Sequence, residues 1–500
     1  MGLKTNGLAL LTVGISALIG LGVLQVSAQN APAEAASEGM AAAPAGMGGG
    51  GGQATGPMTP CPGAITHTRP YTDVFKAEFT TLKGTQNNGA YGESVGAGDF
   101  DRDGYTDIAV GATGEEKVYI YRGTKDGIST TPAVVLSGEQ EKSEFGRSMT
   151  VGDINGDGYA DVIVGAHSFD GGLGAHQGKL YVFLGGPKGV TDKPVQGILG
   201  EHKGDEFART FFVADMDGDG INDLLTGASG YNGDQTYQGK AYVYRGTKAG
   251  LETKPWFTAV GEHSDDEFAR SVTAADLNHD GHMDLIVGQP GLTGGGRAAG
   301  VTIPGTMHVF YGSAKGLSPT AAFKAPGEMV KGHLGEGLSS VGDVNHDGYQ
   351  DVAIGARDFS CGEGAPGKIY LYLGGPKGLS ADRMWPLPGK GGSGVGRTMA
   401  AAGDLDGDGY ADFLSAAPMG TSERGAGVYL FFGGAKTWGK DPVVITSEEA
   451  NSGIGFGVSA AGDINKDGAP DIVIGAPTGG GNRQGWVRVY YGKTATSGRK

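Results

Sequence analysis

Aromatic and aliphatic side chains alternate with other residues at period two in seven short runs. These are KVYIYRG (117–123), KLYVFLGG (179–186), KAYVYRG (240–246), MHVFYG (307–312), KIYLYLGG (368–375), GVYLFFGG (427–434) and WVRVYYG (486–492). Such runs between glycine turns predict β-strands. Each is preceded by a shorter apolar run that ends in small residues, such as DVIVGA (161–166) or DIVIGAP (471–477). No segment carries a convincing 3.6-residue period, so the repeat region is predicted to be all-β.

The unit recurs at about 60 residues. Its clearest marker is a charged turn that appears as DFDRDGYTD (99–107), DINGDGYAD (153–161), DMDGDGIND (215–223), DLNHDGHMD (276–284), DVNHDGYQD (343–351), DLDGDGYAD (404–412) and DINKDGAPD (463–471). Upstream of each turn stands an aromatic or aliphatic residue followed by Gly or Ala: Tyr91-Gly92, Phe145-Gly146, Phe207-Ala208, Phe268-Ala269, Leu334-Gly335, Val395-Gly396 and Ile454-Gly455. About four short antiparallel strands per unit at this period predict the blades of a seven-bladed β-propeller, with a solenoid as the alternative. The seventh unit lacks a fourth strand, and the segment VFKAEFTTLKG (74–84) is one too many before the first unit. Pairing the two closes the ring and removes both exposed edges.

The turn reads D-x-[DN]-x-D-G-x-x-D. Its positions 1, 3, 5 and 9 are Asp99, Asp101, Asp103 and Asp107 in the first copy, and Asp153, Asn155, Asp157 and Asp161 in the second. The third and fourth copies supply Asp215, Asp217, Asp219, Asp223 and Asp276, Asn278, Asp280, Asp284. The fifth and sixth supply Asp343, Asn345, Asp347, Asp351 and Asp404, Asp406, Asp408, Asp412. The seventh supplies Asp463, Asn465, Asp467 and Asp471. All-oxygen, mostly anionic ligands on a flexible turn suit Ca2+, and the glycine at position 6 permits the sharp bend. Without a cation these carboxylates repel one another. The prediction is up to seven structural Ca2+, whose positive charge nearly cancels the formal net charge of −16.

That negative charge argues against a nucleic-acid partner. The 98 glycines show no collagen period and mark turns between strands. The two cysteines, Cys61 and Cys361, either pair or are both free. Residues 1–28 carry one charge, Lys4, an apolar stretch from Leu8 to Leu24, and small residues at Val26-Ser27-Ala28. They read as an export signal, with a retained anchor as the alternative. Residues 29–70 are an Ala/Gly/Pro-rich disordered linker, 71–493 the propeller and 494–500 a tail. The expected location is extracellular, cell-surface or periplasmic, with no membrane span after signal cleavage.

With these Phe-Gly and Gly-Ala-Pro elements, residues 71–493 resemble the FG-GAP repeat family, most closely the seven-bladed propeller of integrin α subunits and its bacterial relatives. The resemblance implies calcium in all seven turns and a scaffold for adhesion or ligand binding at cell surfaces. In integrins the residue after Phe-Gly is usually aromatic, and the ring of such residues cups a basic residue of the partner subunit. Here the positions are Glu93, Arg147, Arg209, Arg270, Glu336, Arg397 and Phe456. If the strand is innermost, as in the family, the four arginines point to the axis and favour an anionic ligand. Alternatively, each pairs with the acid just before its Phe, at Glu144, Glu206 or Glu267. Repeats five to seven carry one extra residue before the charged turn. A carbohydrate-binding, lectin-like role is the second functional reading. An enzyme is not expected, since there is no H-E-x-x-H, nucleophile elbow or P-loop. His202 and His263 recur in matching GEH contexts, which reads as duplication.

Overall fold

The period-two runs pair as antiparallel strands throughout. The computed structural model describes residues 65, 67–291, 304–361, 366–389, 394–418, 425–435 and 441–494. The predicted export signal, most of the linker, Cys61 and the tail from 495 lie outside the described residues.

Blade two shows the plan. Ser148–Gly152, Asp161–Ala166, Lys179–Phe183 and Gln196–Leu199 lie side by side in chain order. Six further sheets repeat it, with first strands Tyr91–Gly98, Phe207–Ala214, Ser271–Ala275, Leu334–Gly342, Thr398–Gly403 and Val458–Gly462. Each first strand neighbours the first strand of the next blade, and the seventh neighbours the first. The result is a closed seven-bladed β-propeller with a central channel. Among the described residues there is no α-helix, only three single-turn 3₁₀ segments.

Closure follows the predicted exchange. The strand Phe75–Lys83 pairs antiparallel with Trp486–Gly492 and completes blade seven. A further pairing was not foreseen: Arg69–Pro70, within the segment read as linker, lies parallel to Val443–Val444 on the edge of blade six. Cys361 is disulfide-bonded, and the chain's other cysteine is Cys61.

The hydrophobic core lies between blades. One cluster joins Val118, Ile120 and Leu136 of blade one to Phe145, Val162, Val164 and Phe183 of blade two. The seam explains the small residues of the signature. A Cβ on Gly165 would sit 2.1 Å from the carbonyl oxygen of Ala208 in the next blade, and one on Gly475 would sit 2.0 Å from that of Gly92. Glycine therefore lets adjacent backbones touch at these positions. The extra residue of repeats five to seven is absorbed as a bulge. Val341, Ala402 and Ala461 interrupt the ladder just before the charged turn.

Candidate functional site

Each charged turn joins the first strand of a blade to the second. Its glycine at position 6 adopts the left-handed conformation in all seven copies, with φ between 84° and 92°. Position 1 accepts the N–H of that glycine, as in Gly158 N–H to Asp153 Oδ2 at 2.7 Å. Position 5 accepts the N–H of position 7, as in Tyr105 to Asp103 at 2.8 Å. These bonds wrap the loop and leave its carboxylates facing one another.

Position 9 does something the pattern alone did not show. In blade two, Asp161 accepts the N–H of Ile154 at 3.0 Å with one oxygen and that of Gly185 at 2.8 Å with the other. The same pair of bonds recurs at Asp107, Asp223, Asp284, Asp351, Asp412 and Asp471. This aspartate thus ties the turn to the end of the third strand. Burial pushes its carboxyl up to about 6 for Asp107 and Asp471, about 7 for Asp161, Asp223, Asp284 and Asp351, and about 8 for Asp412. A cation nearby opposes that shift.

The donor N–H at position 2 belongs to a residue that sequence reasoning passed over. Phe100, Ile154, Met216, Leu277, Val344, Leu405 and Ile464 are all buried between blades. The signal was present: this "x" is apolar in every copy.

The turns fit a hard cation. Carboxylate oxygens of Asp99, Asp101 and Asp107 lie within 4.8 Å of one another, as do those of Asp215, Asp217 and Asp223 and of Asp404, Asp406 and Asp412. These are the three loops with Asp at position 3; the other four carry Asn there. Asp99 Oδ1 is buried with no hydrogen-bond partner, as a metal-ligating oxygen would be. Basic side chains pair with turn carboxylates in at least three loops: Arg122 with Asp101, Arg245 Nε 2.8 Å from Asp217, and Lys76 with Asp467.

Away from the turns, Glu93, Arg147, Arg209, Arg270, Glu336, Arg397 and Phe456 converge on the axis. They line one cavity of about 160 Å³ with Thr398. The local pairing is also present. Arg147 Nη1 lies 2.9 Å from Glu144, Arg209 meets Glu206, and Arg270 Nε lies 4.0 Å from Glu267. Arg397 has no acid of this kind; it lies 4.0 Å from Glu336 and stacks on Phe456 at 4.2 Å. Glu336 also meets Arg357 at 2.8 Å and Arg270 at 3.5 Å. Arg357, after the second strand, gave no sequence signal. Hydrogen bonding from buried His167, with the charge of Arg147, holds Glu144 well below the usual carboxylate range. Burial raises Glu267 and lowers Arg209 and Arg397.

His202 and His263 are exposed rim residues. Their backbone N–H groups donate to Asp205 and Asp266 at 2.7 and 2.8 Å. Their recurrence marks a repeated turn.

The FG-GAP-like repeat profile matches residues 99–164, 215–287, 343–415 and 404–474. Phosphatidylinositol-glycan-specific phospholipase D of Bos taurus is 30% identical over 250 residues, covering 46% of this chain and 30% of that protein. Integrin alpha-5 of Xenopus laevis is 30% identical over 213 residues, covering 40% and 20%. Integrin alpha-PS5 of Drosophila melanogaster is 33% identical over 193 residues, covering 36% and 18%. The chain thus spans less than a third of the length of these relatives. The profile takes in more than half of the chain, with its glycine seams and charged turns, and the chain belongs to the FG-GAP-like repeat family.

Proposed function

We propose that this propeller is an exported, Ca2+-stiffened disc that binds a protein or other ligand at a cell surface, without catalysis of its own. The single observation that carries the reading is the clustering of three aspartates in the charged turns, with Asp99 Oδ1 buried and unpartnered. Positions 1, 3, 5 and 9 of all seven turns are the proposed ligands. The ion would neutralise the carboxylates and hold the turn closed.

Two further observations support the setting. Cys361 is disulfide-bonded, which suits an oxidising compartment. Residues 1–28 have the composition of an export signal. The phospholipase and integrin names describe whole proteins of which this chain matches 30% and 20%, so their activities are not carried over.

The test is a metal count by mass spectrometry after chelation and return of Ca2+, read beside thermal unfolding. Several bound ions per chain and a higher Tm are expected. A chain that takes up no Ca2+ would remove the reading. A glycan array with and without EDTA then separates a carbohydrate ligand from a protein one.

A further inference from the structure

We propose that the axial cavity is a receptor for one oxyanion group, a carboxylate or a sulfate, held by Arg147, Arg209 and Arg270. This rests on the reading of the disc as a binding scaffold. The three arginines come from consecutive blades and form one arc of the cavity wall, bounded by Glu93 on one side and Glu336 on the other. Their acids Glu144, Glu206 and Glu267 stand outside the lining, while the three arginines belong to it.

A guanidinium carries five N–H donors in a planar fork. The acid behind each engages only part of that set. Arg209 meets Glu206 through Nη1, while its Nε is buried with no hydrogen-bond partner. Arg270 lies 3.5 and 4.0 Å from its acids, beyond good hydrogen-bond range. Unfilled donors on Arg209 and Arg270, beside a third cation at Arg147, favour a planar or tetrahedral oxyanion. The same seven axial residues also line a wider channel of about 510 Å³, and the recess of about 160 Å³ admits a side-chain tip or a free ion. Burial and the charges of Arg270 and Arg147 hold Arg209 below its ordinary value, a repulsion that an anion relieves.

The experiment is calorimetric titration of the Ca2+-loaded full chain with two probes. One is sodium sulfate. The other is a capped pentapeptide with a single glutamate between glycines. Saturable one-site binding of at least one probe is expected, with a loss of tenfold or more in the double variant Arg209→Gln, Arg270→Gln. Glu93 lies 3.7 Å from Arg147 and competes for it. Glu93→Gln is therefore expected to tighten binding about threefold, and it spares the buried pairs should the double variant fail to fold. Tighter binding of the peptide points to an acidic side chain of a partner; binding of sulfate alone points to a free anion. No saturable heat with either probe, or Glu93→Gln weakening the binding, overturns the proposal. Calcium counted on the same sample separates this failure from failure of the scaffold reading.

Discussion

The charged turns and the axial positions belong to the same structural unit, yet they are built on opposite terms. The seven turns are near copies: the same glycine conformation, the same buried apolar residue at position 2 and the same two backbone bonds to position 9. The seven axial residues are four arginines, two glutamates and one phenylalanine. The difference follows from what each end meets. A turn takes its carboxylates from its own blade and meets the same neighbouring backbone at the seam, as in Ala160 N–H to Asp99 O and Ala411 N–H to Asp343 O, so the same solution serves seven times. The axial residues meet one another, and seven like charges in one recess would repel strongly. Repetition therefore fixes the frame, and variation is confined to where the blades converge.

The largest test of this contrast is removal of metal. If the proposed Ca2+ fills all seven turns, chelation acts on each of them, and Tm should fall by more than about 10 °C, restored by Ca2+. Glu93→Gln on the axis should leave Tm within about 2 °C. Equal shifts in calorimetric scans would erase the distinction between frame and recess.

A single turn can be broken next. Asp161→Ala strips the acceptors from two backbone N–H groups, those of Ile154 and Gly185. A loss of about 3–5 kcal/mol in urea unfolding is expected. Asp161→Asn keeps one acceptor and should lose less.

His308 is a lapse in the repetition. It occupies the position of Tyr181 and Tyr242, beneath Phe268 at 5.2 Å, and bonds Gln289 at 2.7 Å. Burial, aided by Lys324, lowers it to about 4. The unfolded chain takes up the proton first as pH falls from about 6.5, so this group's contribution is full above that value and is lost progressively down to about 4. The expected loss is about 2–3 kcal/mol. His308→Tyr should flatten that part of the pH profile, and an unchanged slope would contradict it.

The smallest effect concerns the seam. Ala208 and Ala269 hold φ 67° and 62° where the other five blades place glycine. Ala208→Gly should raise stability by about 1 kcal/mol in the same urea assay.

Much of this was legible in the residues. The period-two runs marked strands, the surplus segment 74–84 found its place beside Trp486–Gly492, and the extra residue in repeats five to seven became a bulge. These are local or register features, written in alternation and turn chemistry. The parallel strand Arg69–Pro70 was not legible, because two residues carry no period. The role of Arg357 was hidden for another reason: its acid, Glu336, lies 21 residues away at the start of the same blade.

The sequence by itself determined the number of blades, the chemistry of their turns and the pairing that closes the ring, because each is set by residues within a unit or by an unmatched strand. Only the tertiary structure decided how the axial charges pair, with Glu336 drawing in Arg270, Arg357 and Arg397. The axial residues stand about 60 positions apart, one to a blade, and nothing in their neighbours specifies the encounter until the ring has closed.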